Sequence, residues 1–290
     1  MTVRASIVID NYNYARFLRA AIDGALAQTL EGTEVVVVDD GSTDGSQEII
    51  AGYGGRVRSV IKENGGQTSA FNAGLSVASG SVVCFLDSDD LLAPRAMEAA
   101  VDAIHTRRAV KAHWPLRTIE ADGTPIDELL PRGQLADGDL RDEVLAHGPE
   151  SYPTPPTSGN AWSREFLDEV MPLPEIEVRH EVGSASADAY LSDVAPLFGP
   201  VARIDDELGC YRLHGDNDYS SLGFEECPTR VRCRPGGLAD RVVATSIRGR
   251  ARGAARGTAP RCRPGARRRP GGWGGGRAWA AHTPLPRTRR

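Results

Sequence analysis

The sequence predicts an α/β fold built on a mostly parallel central sheet with helices on both faces. Short apolar runs alternate with segments of helical spacing through roughly the first hundred residues. The runs are apolar throughout, which is typical of strands buried on both faces of a parallel sheet. Acidic clusters directly follow two of these runs, and ligands of such sheets bind beyond the carboxyl ends of the strands.

Hydrophobic spacing predicts the elements of this first part. Apolar, β-branched runs predict strands at residues 5–9, 34–40, 57–61 and 81–86. Apolar residues three and four apart predict helices at residues 14–30, 67–79 and 91–107, the last with Pro94 in its first turn. A further helix carries Ile49 and Ile50 and can be capped by Ser42 or Asp44.

The pattern is less regular from residue 110 to about residue 223. Pro-rich loops interrupt this part of the chain. A helix is predicted at residues 185–197, and strands are predicted at residues 202–204 and 208–213.

Charge divides the chain unequally. The net charge is −5, yet residues 227–290 contain 17 Arg, no Lys and a single acid, Asp240, which gives about +16. The preceding residues therefore carry about −21. A tail dominated by Arg, Gly, Pro and Ala buries too little apolar surface to offset its ordering entropy, so we predict disorder for most of residues 226–290.

Two explanations of the tail remain open. Arg-rich segments attract phosphate, so the tail can be an arm that binds nucleic acid or another acidic surface. An excess of Arg without Lys is also what out-of-frame translation of a GC-rich coding sequence produces. We favour loss of the native frame between Gly223 and Arg230, and expect nucleic acid as a partner only through the tail.

Cysteine usage and hydropathy indicate a cytoplasmic protein, or one peripheral to the inner face of the membrane. The five cysteines show neither a CxxC pair nor a zinc-ligand spacing. The sequence predicts no transmembrane segment, because no apolar stretch approaches the ~20 residues that a membrane helix needs. The first ten residues are too short and too polar for a signal peptide.

The cluster Asp87-Ser88-Asp89-Asp90 is the strongest local signal. Its three carboxylates repel one another and are favourable only when they are solvated or neutralised by a cation. Oxygen ligands at a strand end suit Mg²⁺ or Mn²⁺, which can also take a diphosphate as a ligand. A solvated turn that caps the following helix explains the same residues about equally well.

The pair Asp39-Asp40 after the second strand has the same two explanations. It can accept hydrogen bonds from a nucleobase or ribose, or it can form a turn and a helix cap. A phospho-receiver domain also places acids after apolar strands, but it needs a Lys after its fifth strand. Lys62 and Lys111 are the only lysines, and neither fits that position well.

Several segments in fixed order resemble glycosyltransferase family 2. They are Ser6-Ile7-Val8-Ile9-Asp10-Asn11-Tyr12-Asn13, Val38-Asp39-Asp40-Gly41-Ser42-Thr43-Asp44, Asn64-Gly65-Gly66-Gln67 with Asn72-Ala73-Gly74-Leu75, and Phe85-Leu86-Asp87-Ser88-Asp89-Asp90. A later segment, 208–217, resembles the closing part of some bacterial members. The resemblance covers roughly residues 3–222 and implies the GT-A fold, a nucleotide-diphosphate-sugar donor and inversion of the anomeric centre.

The resemblance assigns donor contacts to individual residues. Asp10 and Tyr12 fall where the family lines its nucleobase pocket, although Pro or Thr is commoner at position 10. Asp40, or else Asp39, would contact the base. The other implied nucleotide-sugar residues are Asn64, Gln67, Ser88 and Asp87, with Asp87 at the ribose or supporting the metal.

Metal ligands are implied in the same way. Asp89 matches the last acid of the family's Asp-x-Asp motif and would ligate Mg²⁺ or Mn²⁺. Asp90 is a second candidate ligand, and His214 is a third because some GT-A enzymes use a late His. Arg212 could offset diphosphate charge.

An inverting transfer needs a carboxylate that deprotonates the acceptor hydroxyl. The family places this base about a hundred residues after its acidic motif, near a helix start, and Asp188 fits best. Asp193 and Glu181 are alternatives. Trp114 and Trp162 either form an acceptor-side wall or pack in the core, and residues 158–160 form a candidate acceptor loop.

The implied organisation has three parts. Residues 1–110 form the nucleotide-sugar-binding half, residues 111–225 form the acceptor-binding and catalytic half of the same domain, and residues 226–290 form the tail. The implied acceptor is a saccharide, lipid-linked or small-molecule hydroxyl, as in bacterial polysaccharide biosynthesis. The alternative function is that of a non-catalytic relative that offers only a binding surface.

Overall fold

A seven-stranded sheet forms the centre of the structure, a computed structural model that describes residues 4–148, 151–174, 186–215 and 217. Its strands are β1 (Ala5–Asn11), β2 (Thr33–Asp39), β3 (Arg58–Ile61), β4 (Val82–Asp87), β6 (Lys111–His113), β9 (Asn160–Ser163) and β10 (Val201–Arg203). They lie in the order β10-β6-β9-β4-β1-β2-β3. Only β9 runs against its neighbours, so the predicted mostly parallel sheet is confirmed.

A second, smaller sheet has four strands. It contains β5 (Leu91–Leu92), β7 (Leu116–Glu120), β8 (Pro125–Leu130) and β11 (Gly209–Leu213), in the order β5-β11-β7-β8. Strand β11 pairs with β7 in parallel and with β5 in antiparallel orientation. It therefore connects the end of the described chain to the segment that directly follows the acidic cluster.

Helices cover both faces of the large sheet. They are α1 (Ala15–Leu26), α2 (Ser46–Tyr53), α3 (Gly66–Val77), α4 (Ala96–Arg107), α5 (Arg141–His147), α6 (Arg164–Val170) and α7 (Ala187–Val194). Strand β1 is buried on both sides because Ile7 and Ile9 pack into one apolar cluster and Val8 into the other. No described helix combines the length and apolar character needed to cross a bilayer.

The helix predicted at residues 91–107 begins later than expected. Leu91 and Leu92 instead form β5, whose backbone pairs with Cys210 and Gly209 of β11. The helix α4 starts at Ala96, after Pro94. The pairing partner lies more than a hundred residues away, so local spacing gives no sign of it.

Other differences are also due to distant contacts or to short elements. Helix α1 ends at Leu26, and the side chain of Gln28 then donates to the carbonyls of Gly24 and Ala93. The helix predicted to reach residue 197 ends at Val194 and continues as a 3-10 turn. Strands β6 and β9 are too short to show a recognisable period, and the predicted tail lies outside the described residues.

We expect Gly74→Ala to lower the free energy of unfolding by about 1–3 kcal/mol, the usual cost of overpacking a core. A Cβ on Gly74 of α3 would lie 2.3 Å from Val8 Cγ1 and 3.1 Å from Val38 Cγ2. Both valines are fully buried and stiff at χ1, so they have little room to yield. Urea denaturation of the two proteins measures the difference.

A second helical glycine provides the matched control. A Cβ on Gly52 of α2 meets no atom within 4 Å. Gly52→Ala should therefore stabilise the protein by about 0.4–1 kcal/mol, by restricting the unfolded chain. If Gly74→Ala proves as stable as Gly52→Ala, the close packing of α3 on the sheet is wrong.

Candidate active site

The acidic residues meet where the strand order of the large sheet reverses. The chain runs from β1 to β2 and β3 on one side, and then returns to place β4 on the other side of β1. Asp10 and Asp87 are therefore direct neighbours in the paired register of β1 and β4, at the carboxyl ends of both strands. A reversal of this kind opens a crevice in which open α/β sheets bind their ligands.

The two neighbouring carboxyls are electrostatically strained. Burial raises the pKa of Asp10 well above its usual range, and the charges of Asp89, Asp188 and Asp40 raise it further. Burial likewise raises the pKa of Asp87, with Asp10 as the nearest source of repulsion. One buried oxygen of Asp10, Oδ1, has no hydrogen-bond partner among the described residues. The crevice thus concentrates negative charge that a cation would neutralise.

His214 brings the end of the described chain onto Asp89. Its Nε2 lies 2.8 Å from Asp89 Oδ2, and its side chain is almost fully buried. The ring packs against those of Tyr14 and Phe17 at centroid distances of 5.3 and 4.9 Å. The Arg16 guanidinium lies 3.4 Å from His214 Nδ1. The first turn of α1 therefore holds His214 over the acidic cluster.

Asp90 is engaged within the protein. Its Oδ1 accepts a hydrogen bond from the Arg212 backbone N–H at 2.9 Å, and its Oδ2 accepts from Ser158 Oγ at 2.7 Å. The Arg212 guanidinium donates to the Asp89 carbonyl at 2.8 Å and lies over the Phe17 ring. Burial raises the pKa of Asp90, and the charge of Asp89 raises it further. These contacts tie β11 to the turn after β4.

Asp39 joins the loops that follow β1 and β2. It is fully buried, and its carboxylate accepts hydrogen bonds from Asn11 Nδ2, Ser42 N and Gln47 Nε2. Ser42 Oγ in turn accepts from the Asn13 backbone N–H. These contacts of Asp39 join the two loops and so shape the wall of the pocket.

Asp40 holds the loop that precedes α3. Its carboxylate pairs with Lys62 Nζ at 2.5 Å and accepts from the backbone N–H groups of Gly65 and Gly66. Gly41 has a φ of 82°, and a Cβ there would lie 2.7 Å from Asn64 N. Only glycine allows the two loops to approach this closely.

The remaining predicted donor residues lie along the same rim. Tyr12 is 48% exposed, as a residue that stacks on a ligand must be before binding. Asn64 is also exposed. Gln67 Nε2 lies 3.3 Å from Asp87 Oδ1, and the buried Ser88 Oγ has no partner among the described residues.

Asp188 lies near the crevice although it belongs to a late part of the chain. It lies in the first turn of α7 and is partly buried. Its charge contributes to the raised pKa values of both Asp10 and Asp87, which means that the three carboxyls are close in space. Asp193 is near the other end of the same helix. Glu181, the other candidate base, lies outside the described residues.

Both tryptophans belong to the core. Trp114 is fully buried and Trp162 is 1% exposed. The sequence left open an acceptor-side wall or core packing for these two residues, and the structure shows core packing. In the candidate acceptor loop, Ser158 is fully buried and bonded to Asp90, so it supports the acidic cluster from below.

The donor atoms of the crevice fit a divalent cation that shares its ligands with a substrate. Among the described residues, no three His, Cys, Asp or Glu side chains form a ready-made metal cage. Mg²⁺ seldom needs one, because it is commonly held by one or two carboxylates together with phosphates and water. Asp89 with His214, beside the unpartnered Asp10 oxygen, offers that kind of partial site.

Sequence reasoning did not find the residues that hold the site together. Tyr14, Arg16 and Phe17 contact His214 across about two hundred residues of chain, and no local pattern announces such a contact. The sequence suggested that Arg212 offsets diphosphate charge, yet it contacts Asp89, Asp90 and two carbonyls of the β7–β8 turn. These contacts of Arg212 fix the turn that carries Asp89 and Asp90.

Known proteins match the sequence over much of the chain. The family described as Glycosyl transferase family 2 matches residues 6–145. An uncharacterized glycosyltransferase of Nostoc sp. is 35% identical over 223 residues, which cover 76% of this chain and 67% of the relative. The chain spans 31% or less of the other curated relatives considered.

Solved structures share the fold at low sequence identity. TarS of S. aureus, in complex with UDP-GlcNAc, is similar with a TM-score of 0.57 and 19% identity, over 75% of this chain and 61% of TarS. The mannosyltransferase PcManGT of Pyrobaculum calidifontis, in complex with GDP-Man and Mn²⁺, has a TM-score of 0.55 and 18% identity, over 89% of this chain and 66% of that protein. The predicted GT-A fold is thereby confirmed.

The relative from Nostoc sp. matches most of the chain, and the family match covers residues 6–145, which include Asp10, Asp40 and Asp87. This chain belongs to glycosyltransferase family 2.

Proposed function

We propose that the protein transfers a sugar from a nucleoside-diphosphate donor to an acceptor hydroxyl, with a divalent cation and with inversion of the anomeric centre. The observation that carries the proposal is the convergence of Asp10, Asp87, Asp89 and Asp188 at one rim of the sheet. Family membership supports the donor class. TarS and PcManGT support it further, since each was solved with a nucleotide sugar.

The nucleotide would occupy the half of the crevice lined by the loops after β1 and β2. Tyr12 offers an exposed ring for the base, and the loops held by Asp39 and Asp40 shape the wall. Asn64 and Gln67 lie at the next loop, where Gln67 already contacts Asp87. Asp87 and Ser88 would face the ribose, and Asp10 would lie beneath them.

Asp89 and His214 would hold Mg²⁺ or Mn²⁺, which when bound neutralises charge on the departing diphosphate. His214 Nε2 lies 2.8 Å from Asp89 Oδ2, so a cation held by both side chains would take the place of this contact. Asp90 remains a candidate second ligand, but both of its oxygens already accept internal hydrogen bonds. We assign Asp90, Ser158 and Arg212 the task of holding Asp89 in place.

Asp188 would act as the general base. It lies in the first turn of α7, close enough to the crevice for its charge to act on Asp10 and Asp87. A carboxylate there can accept the proton of an acceptor hydroxyl as that oxygen attacks the anomeric carbon, and the bond to the diphosphate breaks in the same step. A single displacement of this kind inverts the anomeric centre.

The donor panel is the first experiment. The purified chain is incubated with UDP-, GDP- and dTDP-sugars and Mg²⁺ or Mn²⁺, and release of the nucleoside diphosphate is measured with saccharide, lipid-linked and small-molecule acceptors. We expect one nucleotide class to be used. No cation-dependent release from any donor would favour the alternative of a non-catalytic binding protein.

A cytoplasmic or membrane-peripheral location and a role in polysaccharide biosynthesis belong to the same proposal.

Asp188→Asn should lower kcat by about 10²–10⁴-fold, the usual contribution of a positioned general base. The Kd of the donor should stay close to that of the wild type, because the proposed base acts on the acceptor hydroxyl and is assigned no donor contact. Single-turnover kinetics with the active donor measures both. Asp193→Asn, on the same helix, is the control and should keep most of the activity. If Asp193→Asn loses activity and Asp188→Asn keeps it, the base is Asp193.

Asp89→Asn should weaken Mg²⁺-dependent binding of the nucleoside diphosphate by at least roughly 10–100-fold. Loss of an outer-shell contact alone lowers the affinity of a metal site by that much. The amide keeps the size of the side chain but loses the charge that attracts the cation. Isothermal titration with and without Mg²⁺ measures the effect. Asp102→Asn, an exposed acid on α4, should bind as the wild type does. Equal Mg²⁺ dependence in both variants would remove Asp89 from the site.

Asp10→Asn should stabilise the metal-free protein by about 1 kcal/mol at pH 7, as relief of a strained functional site commonly does. The raised pKa of Asp10 means that the folded protein holds this proton more tightly than the unfolded chain. The wild type therefore loses stability as the pH rises from the ordinary Asp pKa through the raised one. The variant lacks this titration.

The pH dependence provides the check on Asp10. The advantage of Asp10→Asn should vanish below about pH 4, where Asp is protonated in both states. Asp102→Asn should give no such pH-dependent gain. Urea denaturation across this pH range distinguishes the outcomes, and a constant difference at every pH would show that charge is not the cause.

A further inference from the structure

A lysine is buried beneath the helix that carries the proposed base. The chain has only two lysines, and Lys111 of β6 is fully buried. Lys62, the other lysine, is on the rim and pairs with Asp40. A buried ammonium is costly unless it is held by polar or aromatic partners, so its contacts indicate what it does.

The Lys111 ammonium is held in a defined place. Nζ donates to Ser192 Oγ at 2.9 Å. It also lies 5.4 Å from the ring centroid of Tyr152 and 5.1 Å from that of Trp162, its cross-strand partner on β9. The Tyr152 hydroxyl donates to the Ser192 carbonyl. Lys111 and Tyr152, from different parts of the chain, thus both bond to Ser192 of α7.

Ser192 lies one helical turn from Asp188. Ser192 and Asp188 are four residues apart on α7, so they share one face of the helix. Burial lowers the pKa of Lys111 to about 7, and the negative charges of Asp188 and Asp193 oppose that fall. Lys111, when its ammonium is charged, and the carboxyls of the crevice therefore act on Asp188 with opposite sign.

We propose that Lys111 is a positioning residue for Asp188, acting through Ser192 to fix the angle and depth at which α7 presents that carboxylate. The inference rests on the proposed role of Asp188 as the base. Lys111 does not contact the reacting atoms. When charged, it opposes the repulsion that the rim carboxylates exert on Asp188, and it anchors α7 to strand β6.

Lys111→Met is the variant that tests this role. Methionine fills similar space, and an apolar residue often replaces a buried charge without loss of stability, so we expect the variant to fold. With the active donor from the panel, kcat should fall by up to about 100-fold, the cost of a small misplacement of a reacting group. KM for the donor should be unchanged, because the contacts of Lys111 are with Ser192, Tyr152 and Trp162, none of which is assigned to the donor.

Two further variants separate positioning from general destabilisation. Ser192→Ala removes the acceptor of Lys111, so it should lower kcat in the same way, and the double variant should be no slower than Lys111→Met. His113→Leu is the matched control, because His113 is also fully buried on β6 but bonds to the Ala136 carbonyl. It should leave kcat unchanged. Wild-type kcat in Lys111→Met, or an equal fall of kcat in His113→Leu, would overturn the proposal.

A readout that needs no substrate keeps the two proposals apart. Amide hydrogen exchange of residues 187–194 should speed up in Lys111→Met and Ser192→Ala but not in His113→Leu; unchanged protection in Lys111→Met overturns the anchoring role. If Asp188→Asn is inactive while Lys111→Met has normal kcat, only the inference about Lys111 fails. If Asp188→Asn is active, the proposed base fails, whatever Lys111 does.

Discussion

Repulsion among carboxylates is the constraint on which the rest of this structure depends. Asp10 and Asp87 are adjacent in the sheet register, and Asp89, Asp90 and Asp188 lie close enough to raise one or both of their pKa values. A folded protein accepts such a cluster only when the surrounding elements hold it firmly or a cation compensates it. The strand order creates the cluster, because it brings the end of β4 beside the end of β1.

The small sheet supplies the cationic and polar groups that hold the acids. Strand β11 pairs with β5, directly after the acidic turn, and so carries Arg212 and His214 to Asp90 and Asp89. The same pairing converts Leu91 and Leu92 from the predicted start of a helix into a strand. A local departure from sequence expectation thus has a long-range cause, and its consequence is a fixed geometry at Asp89.

The sequence predicts this fold well where the signal is local. The strands β1 to β4 and the helices between them follow from apolar runs and helical spacing, and the acids at the strand ends follow from the same pattern. Short strands such as β6 and β9 show no period, so their place in the large sheet could not be predicted. Contacts such as Arg16 with His214 join residues 198 apart in sequence, and only the tertiary fold brings them together.

The limits of the candidate site along the chain bear on the Arg-rich tail. The last described residue, Asn217, still touches the site, because its side chain donates to the Arg212 carbonyl and lies 3.5 Å from Asp89 Oδ2. A frame change between Gly223 and Arg230 would lie beyond every residue assigned to the donor, the metal or the base. Under that hypothesis the chemistry of the crevice is encoded entirely in the native frame. Activity of the chain then depends on whether residues up to 217 keep β11 in register, since β11 is what carries His214 to Asp89.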